Sequence, residues 1–318
     1  MKARFSREQI PLIATITVFL LFYAAASIRF RADHFFSWAV FVNLLRDNSD
    51  LGLAAIGMTF VILSGGIDLS VGAMIGFTSI FIAWLCAHQL HPLVAIALAL
   101  VVGTGLGAGM GAVIRFMALP PFLVTLAGMF LIRGLGFVVS LESIAIQHPF
   151  YDAISNFSNE VFPFTATIFL VALAAAIYIT RCTPFGRSIY AIGGNEQSAL
   201  LMGLPVGRTK VWIYALSGFC SALGGVVNTF YKLSGNATAG TMLELDAIAA
   251  VVIGGTVLSG GAGSVFGTMI GVLILGVIQT VITFEGTLSS WWTKIVIGLL
   301  LLVFILLQRL LQGRSVGR

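Results

Sequence analysis

Residues 294–307 read KIVIGLLLLVFILL, and residues 170–180 read LVALAAAIYIT. Neither run alternates polar with apolar residues as a lipid-facing barrel strand must, and in hydrocarbon an unbroken apolar run satisfies its backbone only as a helix. Comparable runs follow one another along the whole chain. Of its 318 residues 58% are hydrophobic and 9% charged, against roughly a quarter charged in a soluble domain, and the mean hydropathy is +1.04. A soluble fold of this length needs a polar shell that this composition does not supply. The fold class is therefore all-α: a polytopic integral membrane protein, a single domain over residues 1–318.

A roughly 19-residue hydropathy window predicts spans near 10–28, 47–64, 69–87, 92–114, 121–140, 161–180, 210–230, 246–258, 264–284 and 291–308. That makes about ten membrane helices. The second and eighth are the weakest, because each runs through glycines into a short connector without a basic residue. The amino-terminal apolar run is longer than a signal-peptide core and lacks a cleavage site, so it is expected to remain as the first span.

Basic residues mark the cytoplasmic side of membrane proteins. With both termini placed inside, Lys2, Arg4, Arg7, Arg115, Arg181, Arg187, Arg208, Lys210, Arg309, Arg314 and Arg318 agree, eleven of the seventeen basic residues. Asp33, Asp47, Asp50, Glu142, Asp152, Glu160, Glu244, Asp246 and Glu285 then fall outside or near the outer surface. Arg29, Arg31, Arg46 and Lys232 are exceptions on the outer side. The net charge of +5 reflects this topology; no basic patch interleaved with aromatics suggests nucleic acid. Trp38, Trp84, Trp212, Trp291 and Trp292 lie near span ends and read as interfacial anchors. Cys86, Cys182 and Cys220 have no metal-type spacing and read as packing residues.

Two connectors are long. The outer one, 141–160 (LESIAIQHPFYDAISNFSNE), carries His148, Pro149, Phe150 and Tyr151, a mixture suited either to docking a soluble partner or to a plain solvated loop. The inner one, 181–209, has Pro and Gly breakers around short helix-forming runs such as Glu196 to Met202. It reads as a small cytoplasmic helix that could carry force from a soluble motor, or as a simple link between spans. The chain also repeats itself: LSGGIDLSVGAMIG at 63–76 and LSGGAGSVFGTMIG at 258–271 agree at eight of fourteen positions. Glycine-interrupted, duplicated turns of this kind often mark the neighbourhood of a transport pathway; the alternative reading is generic glycine-rich turn chemistry.

Absent motifs argue against an enzyme. There is no phosphate-binding loop, no metalloprotease or hydrolase signature, and no cofactor or metal is expected. Asp68, Arg133, Asp246 and Lys294 are the only ionisable groups expected near hydrocarbon depth, each close to a span end, which argues against ion coupling. A pathway lined by Gly, Ser, Thr and Asn suits a neutral sugar or polyol. Gly103, Gly105, Gly107, Gly109 and Gly111 in the fourth span read as a close helix-packing face. Asp68 reads as an amino-terminal cap of the third span, or as a gate residue at the cytoplasmic mouth.

GMTFVILSGGIDLSVG (57–72), PPFLVTLAGMFLIRG (120–134), TPFGRSIYAIGGNEQSALLMGL (183–204) and ELDAIAAVVIGGTVLSGGAGSVFGT (244–268) together resemble the ribose-type permeases of bacterial ATP-binding-cassette sugar importers. NSDLG (48–52), ESIAIQHPFYD (142–152) and FEGTLSSWWTKIVIGLLLLVFILLQR (284–309) look most similar to the galactofuranose branch. The resemblance implies a monosaccharide permease, with galactofuranose foremost and ribose, xylose or another small sugar next, in the bacterial inner membrane. A branched-chain amino-acid permease of the same superfamily is the less favoured alternative, and a membrane enzyme the least favoured. It implies a second permease subunit, identical or related, a periplasmic sugar-binding protein, and separate ATPase subunits that use ATP and Mg. By motif, Phe185, Gly186, Arg187, Gly193, Gly194, Asn195 and Glu196 would face the ATPase, and Gly65, Gly66, Asp68, Ser70, Thr125, Glu244 and Asp246 would line or gate the pathway. One departure is Ala262, where many ribose-type members carry arginine.

Overall fold

The computed structural model describes residues 9–32, 34–160, 163–287 and 291–313. Lys2, Arg4, Arg7, Asp33, Arg314 and Arg318, used above for sidedness, lie outside them. The chain runs α1 (Gln9–Arg29), α2 (Trp38–Asp47), α3 (Ser49–Leu63), α4 (Val71–Ala87), α5 (Pro92–Phe116), α6 (Pro121–Val139), β1 (Ile144–Ala145), α7 (Pro149–Glu160), α8 (Phe164–Cys182), α9 (Pro184–Gly194), α10 (Glu196–Leu201), α11 (Val206–Lys232), β2 (Ser234–Gly235), α12 (Leu243–Ile253), α13 (Val265–Glu285) and α14 (Trp291–Gly313). It is an all-α, multi-pass membrane architecture. The only strands among the described residues are β1 and β2, which pair antiparallel over two residues each.

Each predicted span falls on a helix, but not all of those helices have the length and composition that identify a membrane crossing. Among the described residues six are long and apolar enough: α1, α5, α6, α8, α11 and α13. α3 has 15 residues and α12 has 11, about 22 and 16 Å at 1.5 Å per residue, short of a 30 Å core. α3 is almost wholly buried and α12 is mostly buried from Ala247 onward, so the irregular backbone that follows each can be satisfied inside the protein.

Glycine sets how closely the central helices approach. Gly103, Gly107 and Gly111 place their backbone against Ala222, Gly218, Tyr214 and Val211 of α11, where a Cβ would collide. Gly105 and Gly109 face open space, so only every second glycine of the run, four residues apart, packs as expected.

The two faces are internally consistent. Arg115 at the end of α5 lies against Gly207 at the start of α11, and α9 and α10 leave and return on that face. On the opposite face His91 and His148 have ring centroids 5.4 Å apart, and Tyr151 stacks on Phe230 at 4.5 Å. Two of the basic exceptions there are paired: Arg29 with Glu285 at 3.2 Å and Arg46 with Asp47 at 2.9 Å. The outer connector is not a plain loop, since α7 occupies most of it. Tyr151 is fully buried and shares a 3.0 Å hydrogen bond with Thr229, so its ring docks the connector onto α11 and is closed to any soluble partner. All five tryptophans are exposed within two turns of a helix end.

Candidate functional site

The repeated motif becomes a repeated structure. α3 ends in a Schellman cap: Gly65, at φ +83°, donates to Ile62 O at 2.9 Å, and Gly66 donates to Val61 O at 3.0 Å. α12 ends the same way, with Gly255 (φ +91°) donating to Val252 O at 2.9 Å and Thr256 to Val251 O at 3.2 Å. Left-handed glycine at this position satisfies carbonyls that a helix end would otherwise leave bare. The copies differ in length: α12 stops at Gly254-Gly255, so Ser259-Gly260-Gly261 forms a further turn. Gly260 still takes φ +85°, nearly the value of Gly65 at the equivalent place.

The two turns meet. Gly261 N–H donates to Leu63 O at 2.9 Å, so the last carbonyl of α3 is satisfied by the second copy. Onto this bond packs Gly193 of α9, where a Cβ would fall on Leu63 O and Gly261 N. Gly194 lies against Gly261, and Tyr190 Oη donates to Gly263 O at 2.9 Å. Three backbone segments, 63–66, 193–194 and 259–263, therefore share one glycine junction. Residues assigned from sequence to two different roles, Gly65 and Gly66 on one side and Gly193 and Gly194 on the other, come together here.

The inner connector is two helices at an angle. Thr183 caps α9 by accepting from Gly186 N at 3.2 Å, and Asn195, which ends α9, caps α10 by accepting from Ser198 N at 2.8 Å. Gly186 is buried against the backbone of α8, and Phe185 is half-buried against the core. Arg187, Gly194, Asn195 and Glu196 are exposed, Glu196 pairing with Lys210 at 2.7 Å. The exposed tip continues beyond the stretch singled out from sequence, through Leu200, Leu201 and Met202; Leu201 is 90% exposed.

Asp68 does not cap α4. It sits two residues before the cap position, and its Oδ1 accepts from Ser70 N at 2.9 Å and Ser70 Oγ at 2.6 Å, while Oδ2 accepts from Ser217 Oγ at 2.7 Å. The fully buried carboxylate thus ties the α3–α4 connector to the middle of α11. Thr125 Oγ1 donates to Ile67 O at 3.1 Å, which fastens α6 to the same connector. Tyr214 Oη, beside Gly66, is buried with no hydrogen-bond partner among the described residues. Ser217, Tyr214 and Tyr190 carried no sequence signal, because their partners lie far away in the chain.

Glu244 and Asp246 stand apart from the junction, at the other end of α12. Asp246 pairs with Lys294 of α14 at 2.6 Å. Glu244 lies against Gly72 near the start of α4, and its buried Oε2 has no hydrogen-bond partner among the described residues. Arg133 of α6 reaches the preceding segment, where Nη1 donates to Ala237 O at 2.8 Å and Ala239 O at 2.9 Å. No group of His, Cys, Asp and Glu among the described residues has the arrangement of a metal site.

Residues 40–305 match the family model described as the branched-chain amino acid transport system / permease component. The chain is 49% identical to the inner membrane ABC transporter permease protein YjfF of Escherichia coli (strain K12), covering 95% of this chain and 93% of the relative. It is 42% identical to the ribose import permease protein RbsC of Bacillus subtilis (strain 168), covering 84% of each. It is 36% identical to the fructose import permease protein FruG of Bifidobacterium longum (strain NCC 2705), covering 96% of this chain and 92% of the relative. No solved structure matches the chain.

Proposed function

The chain belongs to the permease-component family of ATP-binding-cassette importers, and from that membership we propose that it is the membrane subunit of a bacterial inner-membrane monosaccharide importer, with galactofuranose as the foremost substrate. Ribose, xylose or another small sugar is next in order. Relatives that import ribose and fructose, aligned over most of the chain, favour a sugar over a branched-chain amino acid despite the family's title.

The observation that carries the mechanism is the glycine junction. The face bearing Arg115, Arg181, Arg187 and Arg208 is cytoplasmic, and α9 with α10 is the element on which an ATPase subunit presses. Arg187, Gly194, Asn195 and Glu196 form the contact tip, and Phe185, Gly186 and Gly193 hold α9 to the body. Glycine at 193, 260 and 261 leaves backbone on backbone with no side chain between, so movement of α9 reaches both repeat turns without slack. The turn Gly65-Gly66-Ile67-Asp68-Leu69-Ser70, with Thr125, is the gate that this movement resets, and Glu244 and Asp246 flank the pathway further out. ATP and Mg act on the partner subunits, and this chain performs no catalysis. A periplasmic binding protein delivers the sugar, and a second permease subunit completes the pathway.

Uptake of labelled galactofuranose, ribose, fructose and leucine into cells with and without the chain, together with co-purification of an ATPase, tests this reading. Loss of uptake of one sugar with an ATPase attached supports it. Loss of leucine uptake alone, or a chain that purifies with no ATPase, overturns it.

A further inference from the structure

Between β2 and α12 the chain is not helical, yet it runs deep. Gly235 lies against Ser79 and Ala83, Ala237 against Gly76, and Gly240 against Gly72. The six residues 235–240, which run through successive turns, thus follow α4 over nearly three helical turns. Gly72 lies fifteen residues before Ala87 at the end of α4, about 22 Å along the axis at 1.5 Å per residue. Residues 235–242 are therefore irregular backbone running alongside α4, and at bilayer depth such backbone is tolerated only where it is buried in protein or lines a water-filled space.

One side of this segment is buried in protein and the other is exposed. Its inner side is fully engaged: Ser79 Oγ donates to Asn236 O at 3.1 Å, Ser143 Oγ to Gly235 O at 3.2 Å, and Arg133 to the carbonyls of Ala237 and Ala239. A mid-helix arginine is costly in a membrane, and here it is placed where it supplies donors to non-helical backbone. The opposite side exposes Thr238 and Thr241 and part of Asn236. Their donors are partly committed: Thr238 N and Oγ1 both donate to Asn236 Oδ1 at 2.8 Å, and Thr241 Oγ1 donates to Thr238 O at 2.6 Å. What faces outward is a set of hydroxyl lone pairs and the Asn236 amide N–H groups, an uncharged mixture of acceptors and donors.

We propose that Asn236, Thr238 and Thr241, held at depth by Arg133, are the surface over which a neutral polyhydroxylated molecule passes. The inference rests on the permease reading and names the residues that meet its cargo. An uncharged, shallow hydrogen-bonding face suits a sugar, which exchanges hydroxyl contacts with water at each step, and gives no hold to the charged ends of an amino acid.

Thr238→Cys and Thr241→Cys, in a background with Cys86, Cys182 and Cys220 changed to alanine, are treated in cells with a membrane-impermeant cationic methanethiosulfonate. Val101→Cys on an exposed face of α5 is the lipid-facing control. The expected result is labelling at 238 and 241 and not at 101, slowed by whichever of ribose, fructose or galactofuranose the parent transports. Thr238→Val and Thr241→Val, which need no cysteine-free background, should raise KM for that sugar by roughly two- to tenfold, the effect of losing one neutral hydrogen bond, with ATP hydrolysis retained. Labelling only by a lipid-soluble maleimide, disulfide formation between two copies of the chain, or valine variants with unchanged KM would overturn the assignment while leaving the permease reading intact. A parent that moves no sugar would overturn both.

Discussion

The amide of Gly261 donates to the carbonyl of Leu63 at 2.9 Å across 198 residues of chain, so the two copies of the repeated motif close on each other through backbone alone. Gly193 covers that bond, and this makes position 193 the most demanding in the connector. Gly193→Ala would press a methyl group onto two backbone atoms that cannot rotate away. A loss of about 1–3 kcal/mol is expected from such overpacking, read as a lower melting temperature in detergent. Gly194→Ala, with nothing within 4 Å of its Cβ position, should change stability by no more than about 0.5 kcal/mol.

Tyr190 tests transmission without disturbing the packing. Tyr190→Phe keeps the ring and removes the bond to Gly263 O. The protein should insert and bind its ATPase normally, and the ATP hydrolysed per sugar imported should rise. An unchanged ratio would show that the second repeat turn is moved by other contacts.

Asp68 binds two serines at once. Asp68→Ala leaves Ser70 and Ser217 hydroxyls buried without their acceptor, a cost of about 1–3 kcal/mol. In a double-mutant cycle, Asp68→Ala with Ser217→Ala should show a coupling energy of about 0.5–3 kcal/mol. Additive losses would mean that the Asp68–Ser217 bond contributes nothing of its own.

Asp246 and Lys294 pair near the start of α12. Removal of either charge strands the other, so Asp246→Asn and Lys294→Met should each lower the amount of folded protein recovered from membranes, and the double variant should recover much of the loss. Fluorescence-detected gel filtration reads this directly.

Much of this was visible in the residues. Unbroken apolar runs gave the class, the duplicated glycine motif gave the location of the turns, and the Pro and Gly breakers gave the inner connector, although α9 was not anticipated as a separate helix. What stayed hidden depended on contacts between distant segments. A hydropathy window treats 246–258 as a crossing, because it counts apolar residues and does not see Gly254 and Gly255 closing α12 after eleven residues. Arg133 reads as an isolated charge near a span end, since its carbonyl partners lie more than a hundred residues away. Tyr151 resembles a docking residue for the opposite reason: a polar-tipped ring in a polar connector gives no sign that Thr229 receives it.

The most direct measurement is accumulation of labelled sugar in proteoliposomes that contain this chain with its co-purified ATPase and binding protein. ATP-dependent accumulation of galactofuranose, ribose or fructose, with leucine excluded, is the expected result. Accumulation of leucine, or hydrolysis of ATP with no sugar moved, would contradict it.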